Sequence, residues 1–281
     1  MDKSYLDSLP PLRDVIRAHD LRAEKSLGQN FILDLNITDK IVGAAGDLSG
    51  CNVIEIGPGP GGLTRSLLRS DAQKVVSIEY DPRAIAALSE LVELSKGRLC
   101  IQHADALHVD FLAICETPRK IVANLPYNIS TVLLVNWLRQ IRQDQKSYDG
   151  MTLMFQKEVA DRICAAPGNK AYGRLSVLAQ WMCRVQHAFD LPPNAFVPPP
   201  KVTSSIVCFR PLDMEEDAPA FEVMEQVTAA AFNQRRKMIR SSLKAYIEAV
   251  RNAGIDETLR AEQLEIADFV KICKFIGKKR A

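Results

Sequence analysis

At 281 residues, 47% apolar and 25% charged, the chain has the proportions of a globular protein with core enough for one large domain or one large and one small, which excludes the disordered and fibrous classes. A net charge of +2 announces no nucleic-acid partner from totals alone, no run approaches the roughly 18 apolar residues of a membrane span, and the opening MDKSYLDSLPPLRD has neither a signal-peptide apolar region nor a transit pattern. The reading is a cytoplasmic protein with no membrane partner; seven widely spaced cysteines without a C-x-x-C pair point to reduced, buried thiols and no zinc site.

Residues 1 to 24 read as a helix and loop laid over the first domain. From Cys51 onward, short apolar runs alternate with amphipathic stretches, the pattern of a mostly parallel sheet with helices between its strands. Strands are predicted at 52–56, 74–79, 99–103, 120–124 and 151–155. Helices fall at 63–70, 82–95, 131–143 with Ser130 as its cap, and 157–165. After the loop APGNKAYGR, two β-like runs at 184–190 and 203–209 flank the proline-rich LPPNAFVPPPK; their spacing predicts an antiparallel hairpin ending the sheet, with the prolines holding the loop extended. The polar, proline-bearing RPLDMEEDAPA marks a boundary, and everything beyond it reads as helix. Two domains are expected, 1–212 and 213–281.

The segment VIEIGPGPGGLTRSLL follows a strand and opens a helix. Its Gly57, Gly59 and Gly62 satisfy G-x-G-x-x-G, which lets backbone approach a ligand closely; alone, the pattern fits a dinucleotide, S-adenosylmethionine or a ligand-free turn. Glu79 ends the next strand, 22 residues after Gly57, where a carboxylate in such folds takes both ribose hydroxyls. Asp105, just past the third strand, reaches the same sheet edge and could accept from an adenine amino group or simply cap a helix. A pyrophosphate needs anion-binding backbone, whereas Glu55 would repel phosphates and attract a sulfonium or ammonium. That favours S-adenosylmethionine over a nicotinamide dinucleotide.

In IVANLPYNIS, Asn124 ends the fourth strand and its side chain emerges into the crevice that Gly57, Glu79 and Asp105 line. An exocyclic amine on a nucleobase is a poor nucleophile because its lone pair is delocalised into the ring. The Asn124 side-chain oxygen and the Leu125 carbonyl could accept its two hydrogens and turn the lone pair toward a sulfonium methyl. Pro126 fixes φ of the turn, and Tyr127 offers a face for the base to stack upon. The alternative is a strand end followed by a proline turn, with Tyr127 in the core. In FNQRRKMIRSSLK, Arg235, Arg236, Lys237, Arg240 and Lys244 occur with no acid; on a helix Arg236, Arg240 and Lys244 would form one stripe for phosphate while Phe232, Ile239 and Leu243 pack. A second basic block, Lys271, Lys274, Lys278, Lys279 and Arg280, reads equally as a frayed end or an RNA contact.

KSLGQNFILD, EIGPGPGGLT, IEYD, HADAL, NLPYNIS, NAFVPPPKVTSS and FNQRRKMIRSSL, in that order, resemble the bacterial small-subunit ribosomal RNA adenine dimethyltransferases from about residue 20 to the end. The resemblance implies a Rossmann-like α/β S-adenosylmethionine-dependent methyltransferase domain and a small helical RNA-binding domain. It implies that Gln29, Asn30 and Ile32 close over the cofactor; many relatives have Leu where Ile32 stands. Gly57, with Gly59 of the same loop, would approach the methionine part, Glu79 the ribose, Asp105 the adenine, and Asn124 both cofactor and target amine. Phe196 would face Tyr127 across the target base. The substrate so implied is two adjacent adenosines near the 3′ end of small-subunit ribosomal RNA in the assembling subunit, each methylated twice, by a monomeric enzyme. The rivals are a large-subunit adenine methylase of the antibiotic-resistance type, an assembly or transcription factor that keeps the fold mainly to bind nucleic acid, and, more distantly, a nicotinamide oxidoreductase.

Overall fold

The computed structural model describes residues 3–21 and 29–277. Residues 22–24 of the expected N-terminal helix and loop, residues 25–28 of KSLGQNFILD, and Lys278, Lys279 and Arg280 of the basic tail lie outside the described residues. The N-terminal stretch contains a 3-10 turn at Ser4–Asp7 and the helix α1 (Leu12–Ala18), and Leu6 is buried in the first core. A two-residue strand, β1 (Phe31–Ile32), precedes α2 (Leu35–Ala44), whose cap Asp34 accepts from the Asn36 N–H.

Continuous aliphatic runs, buried on both sides, make the central strands of the sheet. β2 (Asn52–Ile56) has no exposed residue, and β3 (Lys74–Glu79) is buried beyond its first residue. Between them lies α3 (Gly62–Arg69). α4 (Pro82–Ala87) starts behind the cap Asp81 with proline at its first turn, and α5 (Ser89–Leu94) follows directly. One helix over 82–95 was expected. It breaks at Leu88, where the Ser89 hydroxyl donates to the Ala86 carbonyl and competes with the backbone ladder. β4 (Leu99–His103), α6 (Phe111–Ile114), β5 (Arg119–Ala123), α7 (Ser130–Gln143) and β6 (Gly150–Gln156) complete the alternating run. Ser130, expected as the cap of α7, is its first residue, and its hydroxyl donates to the Tyr127 carbonyl.

α8 (Lys157–Cys164) and α9 (Arg174–Met182) precede β7 (Cys183–Leu191), the two-residue β8 (Phe196–Val197) and β9 (Ser204–Pro211). β9 runs antiparallel to β6 and parts it from β7, so the seven-stranded order is β4-β3-β2-β5-β6-β9-β7, parallel from β4 through β6. This is the expected mostly parallel α/β sheet with antiparallel strands at one end. The proline-rich loop is more than extended chain: β8 pairs with β1, placing Phe196 opposite Ile32. α9 has no counterpart in the sequence reading. Its cue is local, the Gly173 N–H donating to the Ser176 hydroxyl three residues on.

Packing divides the chain into two compact units, 1–134 with 146–157 and 186–210, and 135–145 with 158–185 and 211–281. The second unit is larger than the stretch after residue 212. α10 (Phe221–Asn233) packs on α9 as well as on α13 (Ile266–Gly277), so helices before and after that point share one core. α11 (Ile239–Ser242) and α12 (Ile247–Asn252) are short. Among the described residues no helix is long and apolar enough to cross a membrane. Cys100, in edge strand β4, is exposed, unlike the buried thiols expected, whereas Cys51, Cys183 and Cys273 are buried.

Candidate active site

In the first unit, β2 pairs with β3 on one side and with β5 on the other, so the strand order reverses beside β2 and a crevice opens at the C-terminal ends of β2 and β5. The cavity there has a volume of about 390 Å³. Gln29, Asn30, Ile32, Gly57, Gly59, Glu79, Asp105, Asn124, Leu125 and Tyr127 all line it. Phe196 does not. Its ring is 2% exposed and sits in the first unit's apolar core, the cluster against which Tyr127 also packs.

The glycine loop owes its residues as much to packing as to a ligand. Gly59, at φ +54°, has a Phe31 ring carbon 2.7 Å from the place a Cβ would occupy, and a Cβ on Gly62 would lie 2.5 Å from the Ile32 carbonyl oxygen. Both thus make room for the 29–32 segment, which lies across the loop and forms one wall of the cavity.

Two buried carboxylates face this cavity. Glu79 accepts N–H bonds from Tyr80 at 2.7 Å and Asp81 at 2.8 Å on Oε1, and a longer one from Gly59 at 3.3 Å on Oε2. Burial pushes its pKa up against those bonds, and the lightly used Oε2 keeps capacity for a further donor. Glu55, 1% exposed, accepts from the Ser77 and Thr64 hydroxyls at 2.7 and 2.8 Å. Its burial outweighs both bonds and raises its pKa from 4.5 to about 7. A buried carboxyl held near the midpoint of its titration at neutral pH would ionise when a cationic ligand group sits beside it. Asp105 serves as both candidate and cap: it lines the cavity, accepts from the Leu107 N–H at 2.9 Å and pairs with His108 at 3.2 Å.

At the end of β5, the Asn124 side-chain nitrogen donates to the Asn30 carbonyl at 3.1 Å. The amide is thereby fixed with its oxygen as the remaining acceptor. Tyr127 is half-buried, and its hydroxyl shares a 2.6 Å bond with Ser204. The sequence reading missed Tyr80 and Leu107. Both line the cavity and are 61% and 37% exposed, and the available cue was an aromatic residue directly after the ribose-type carboxylate. Glu55, Glu79, Asn124 and the 29–32 segment together can hold a nucleoside bearing a cationic group, with an amide oxygen presented to a second, amine-bearing reactant.

In the second unit the segment 232–244 is not one helix. α10 ends at Asn233, Gln234 leaves helical geometry at φ −124° and ψ 69°, and Met238 is extended and bridged to Arg260 before α11 begins. The fourfold spacing of Arg236, Arg240 and Lys244 therefore forms no helical stripe. Ile239 and Leu243 are fully buried, as expected of the packing side, and Phe232 stacks on Phe269. Arg235 donates to the Lys170 and Tyr172 carbonyls at 2.6 and 2.7 Å. Arg236, Lys237, Arg240 and Lys244 are exposed, and no side-chain ion pair is formed by them among the described residues. Lys274, from the second basic block, is neutralised by Glu215 and Asp217.

Residues 20–278 match the family model described as ribosomal RNA adenine dimethylase. The chain is 53% identical over 275 residues, 96% of its length and 97% of the relative's, to the ribosomal RNA small subunit methyltransferase A of Paracoccus denitrificans. It is 50% identical over 279 residues, 98% of its length and 99% of the relative's, to the protein of that name from a Ruegeria species. The crystal structure of a dimethyladenosine transferase from Plasmodium falciparum superposes with a TM-score of 0.72 at 26% identity, covering 88% of this chain and 97% of that one. With its Rossmann-like sheet and the cavity at the C-terminal ends of β2 and β5, the chain belongs to the ribosomal RNA adenine dimethylase family, S-adenosylmethionine-dependent methyltransferases of small-subunit ribosomal RNA.

Proposed function

We propose that the chain places two methyl groups on the N6 amine of each of two adjacent adenosines near the 3′ end of small-subunit ribosomal RNA, in the assembling subunit. The observation that carries this reading is the amide of Asn124, which lines the cavity and is tied through its nitrogen to Asn30, leaving its oxygen as the acceptor for an incoming amine. Bound S-adenosylmethionine supplies a methyl group already activated on a cationic sulfur. Of the residues that line the cavity, Gln29, Asn30, Ile32, Gly57 and Gly59 would wall its methionine end, Glu55 would offset positive charge there, Glu79 would take the ribose, and Asp105 with Tyr80 and Leu107 would meet the adenine.

In the first transfer the target amine would donate N–H hydrogen bonds to the Asn124 oxygen and the Leu125 carbonyl, which turns its lone pair toward the methyl group. The N–C bond would form as the S–C bond breaks and the surplus proton would pass to solvent; in the second transfer the one remaining N–H would use one of the two acceptors. Tyr127 provides a stacking face for the adenine once it has left its own stack. The sulfonium is already activated, so no strong base is needed at the outset, and positioning supplies most of the acceleration. Arg236, Lys237, Arg240 and Lys244 bind backbone phosphates of the RNA, while Arg235 holds the loop at 170–172. Methyl transfer to small-subunit particles that lack the modification, followed by mass mapping of the RNA, tests the reading. The expected product is dimethyladenosine at two neighbouring positions; a chain that binds the particle and transfers nothing would be an assembly factor.

A further inference from the structure

We propose that Ser204 is the positioning residue of base capture: its hydroxyl anchors the Tyr127 ring at the angle from which the ring receives the target adenine. The inference rests on the reading of Tyr127 as the stacking face. Tyr127 is only half-buried, and its ring borders the cavity next to Asn124. The ring packs on the first unit's apolar core, but on the cavity side its tilt about two side-chain torsions is set only if something holds its far end. The 2.6 Å bond between the Tyr127 hydroxyl and Ser204 Oγ is such a hold.

The anchor is itself rigid. Ser204 is wholly buried at the start of β9, in antiparallel register with Gln156 at the end of β6. On one side of it the Thr203 carbonyl accepts from the Lys157 N–H at 2.9 Å. On the other, the Ser205 hydroxyl donates to Asp190 at 2.6 Å, and Asp190 in turn pairs with Lys157 at 3.0 Å. Ser204 thus cannot follow a swinging ring, and the ring takes its orientation from the sheet. Burial pushes the Tyr127 phenol pKa up, so the hydroxyl stays neutral and acts as a tether and not as a base.

The test is single-turnover methyl transfer to unmodified small-subunit particles at saturating S-adenosylmethionine, with cofactor affinity and Tm measured for each variant. Y127A is expected to lose most transfer. Y127F and S204A should each lower the rate about two- to twelve-fold, the scale of one hydrogen bond, with cofactor Kd within about twofold of wild type. Because both remove the same bond, the Y127F/S204A double variant should be no slower than the slower single, and S204T, which keeps the hydroxyl, should recover most of the rate. Multiplying defects in the double variant would mean that Ser204 acts apart from Tyr127 and would overturn the proposal. If Y127A transfers normally, the stacking face is refuted and the proposal with it. If Y127A fails while S204A is normal, the stacking face stands and the anchor falls. Should S204A not fold, Y127F decides alone, since it keeps the ring and the Ser204 hydroxyl; a wild-type rate there refutes the tether.

Discussion

Two side chains in the cavity have electrostatic or hydrogen-bonding roles that can be tested one at a time. Asn124 makes its single directed contribution when the attacking amine gains positive charge, so Asn124→Ala should raise the barrier by about 2 to 4 kcal/mol, the scale for deleting one preorganised group, and slow transfer about 30- to 1,000-fold while leaving Tm nearly unchanged. More than half of wild-type turnover in a single-turnover assay would rule out the acceptor role. Glu55 offers a pH signature. Its folded pKa stands at about 7 against an ordinary 4.5, so the neutral form is the one that folding favours. Its contribution to the stability of the free protein is present below about pH 4.5 and is lost as pH rises through 7. A cationic ligand selects the ionised form, so affinity moves the other way. For a group titrating at about 7, S-adenosylmethionine should bind about fivefold more tightly at pH 7 than at pH 6. Glu55→Gln should flatten that dependence, and calorimetry at the two pH values checks it; an equally steep profile in the variant would assign the titration to another group.

At the scale of elements, what was legible from sequence depended on whether the information was local. β2 and β3 stand where their aliphatic runs predict, because strands buried on both faces leave an unbroken apolar signature, and the edge strand β4 also keeps its expected bounds although only Leu99 of it is buried. β5 and β6 differ only by a residue or so at their ends. The same locality explains why Glu79, Asp105 and Asn124 could be placed at one edge of the sheet: each terminates or just follows a readable strand. β1 and β8 were not readable. Each has two residues and exists only because the other is opposite it across more than 160 positions of chain, and no periodicity encodes that. The consequence falls on Phe196, which the motif alone would put over the target base and which β8 holds in the core beside Ile32. Phe196→Ala should then cost about 3 to 5 kcal/mol of stability, as for other buried aromatic side chains. Phe196→Leu, which keeps apolar bulk, should retain most transfer and most of the Tm. A Leu variant with normal Tm and cofactor affinity but little transfer would mean that the ring leaves the core to meet the base.

Over the whole molecule, net charge conceals a division of labour. The total is only +2, yet four exposed cations, Arg236, Lys237, Arg240 and Lys244, cluster in sequence between α10 and α12 with no ion pair made by their side chains among the described residues. Lys274 is tied to Glu215 and Asp217 and contributes little to an outward field. Helical periodicity was the wrong reason to expect a cationic surface here, since the segment is a turn and a short helix. The composition was sufficient: where no acid intervenes and Ile239 and Leu243 occupy the core, the remaining charges have only solvent to face. Arg235 differs from its neighbours in sequence because its guanidinium already holds the carbonyls of Lys170 and Tyr172. The two groups should therefore separate under mutation. Replacing Arg236, Lys237, Arg240 and Lys244 with Gln should reduce the slope of log affinity for small-subunit RNA against log salt by about 0.7 to 0.9 for each phosphate no longer neutralised, without changing S-adenosylmethionine affinity or Tm. Arg235→Gln should do the reverse, lowering stability by about 0.5 to 1.5 kcal/mol with a nearly unaltered salt slope. Titrations at several salt concentrations, paired with thermal melts, distinguish the outcomes. A quadruple variant with the wild-type slope would leave those four residues as an ordinary solvated face, and an Arg235 variant with a reduced slope and unchanged Tm would return that residue to the RNA.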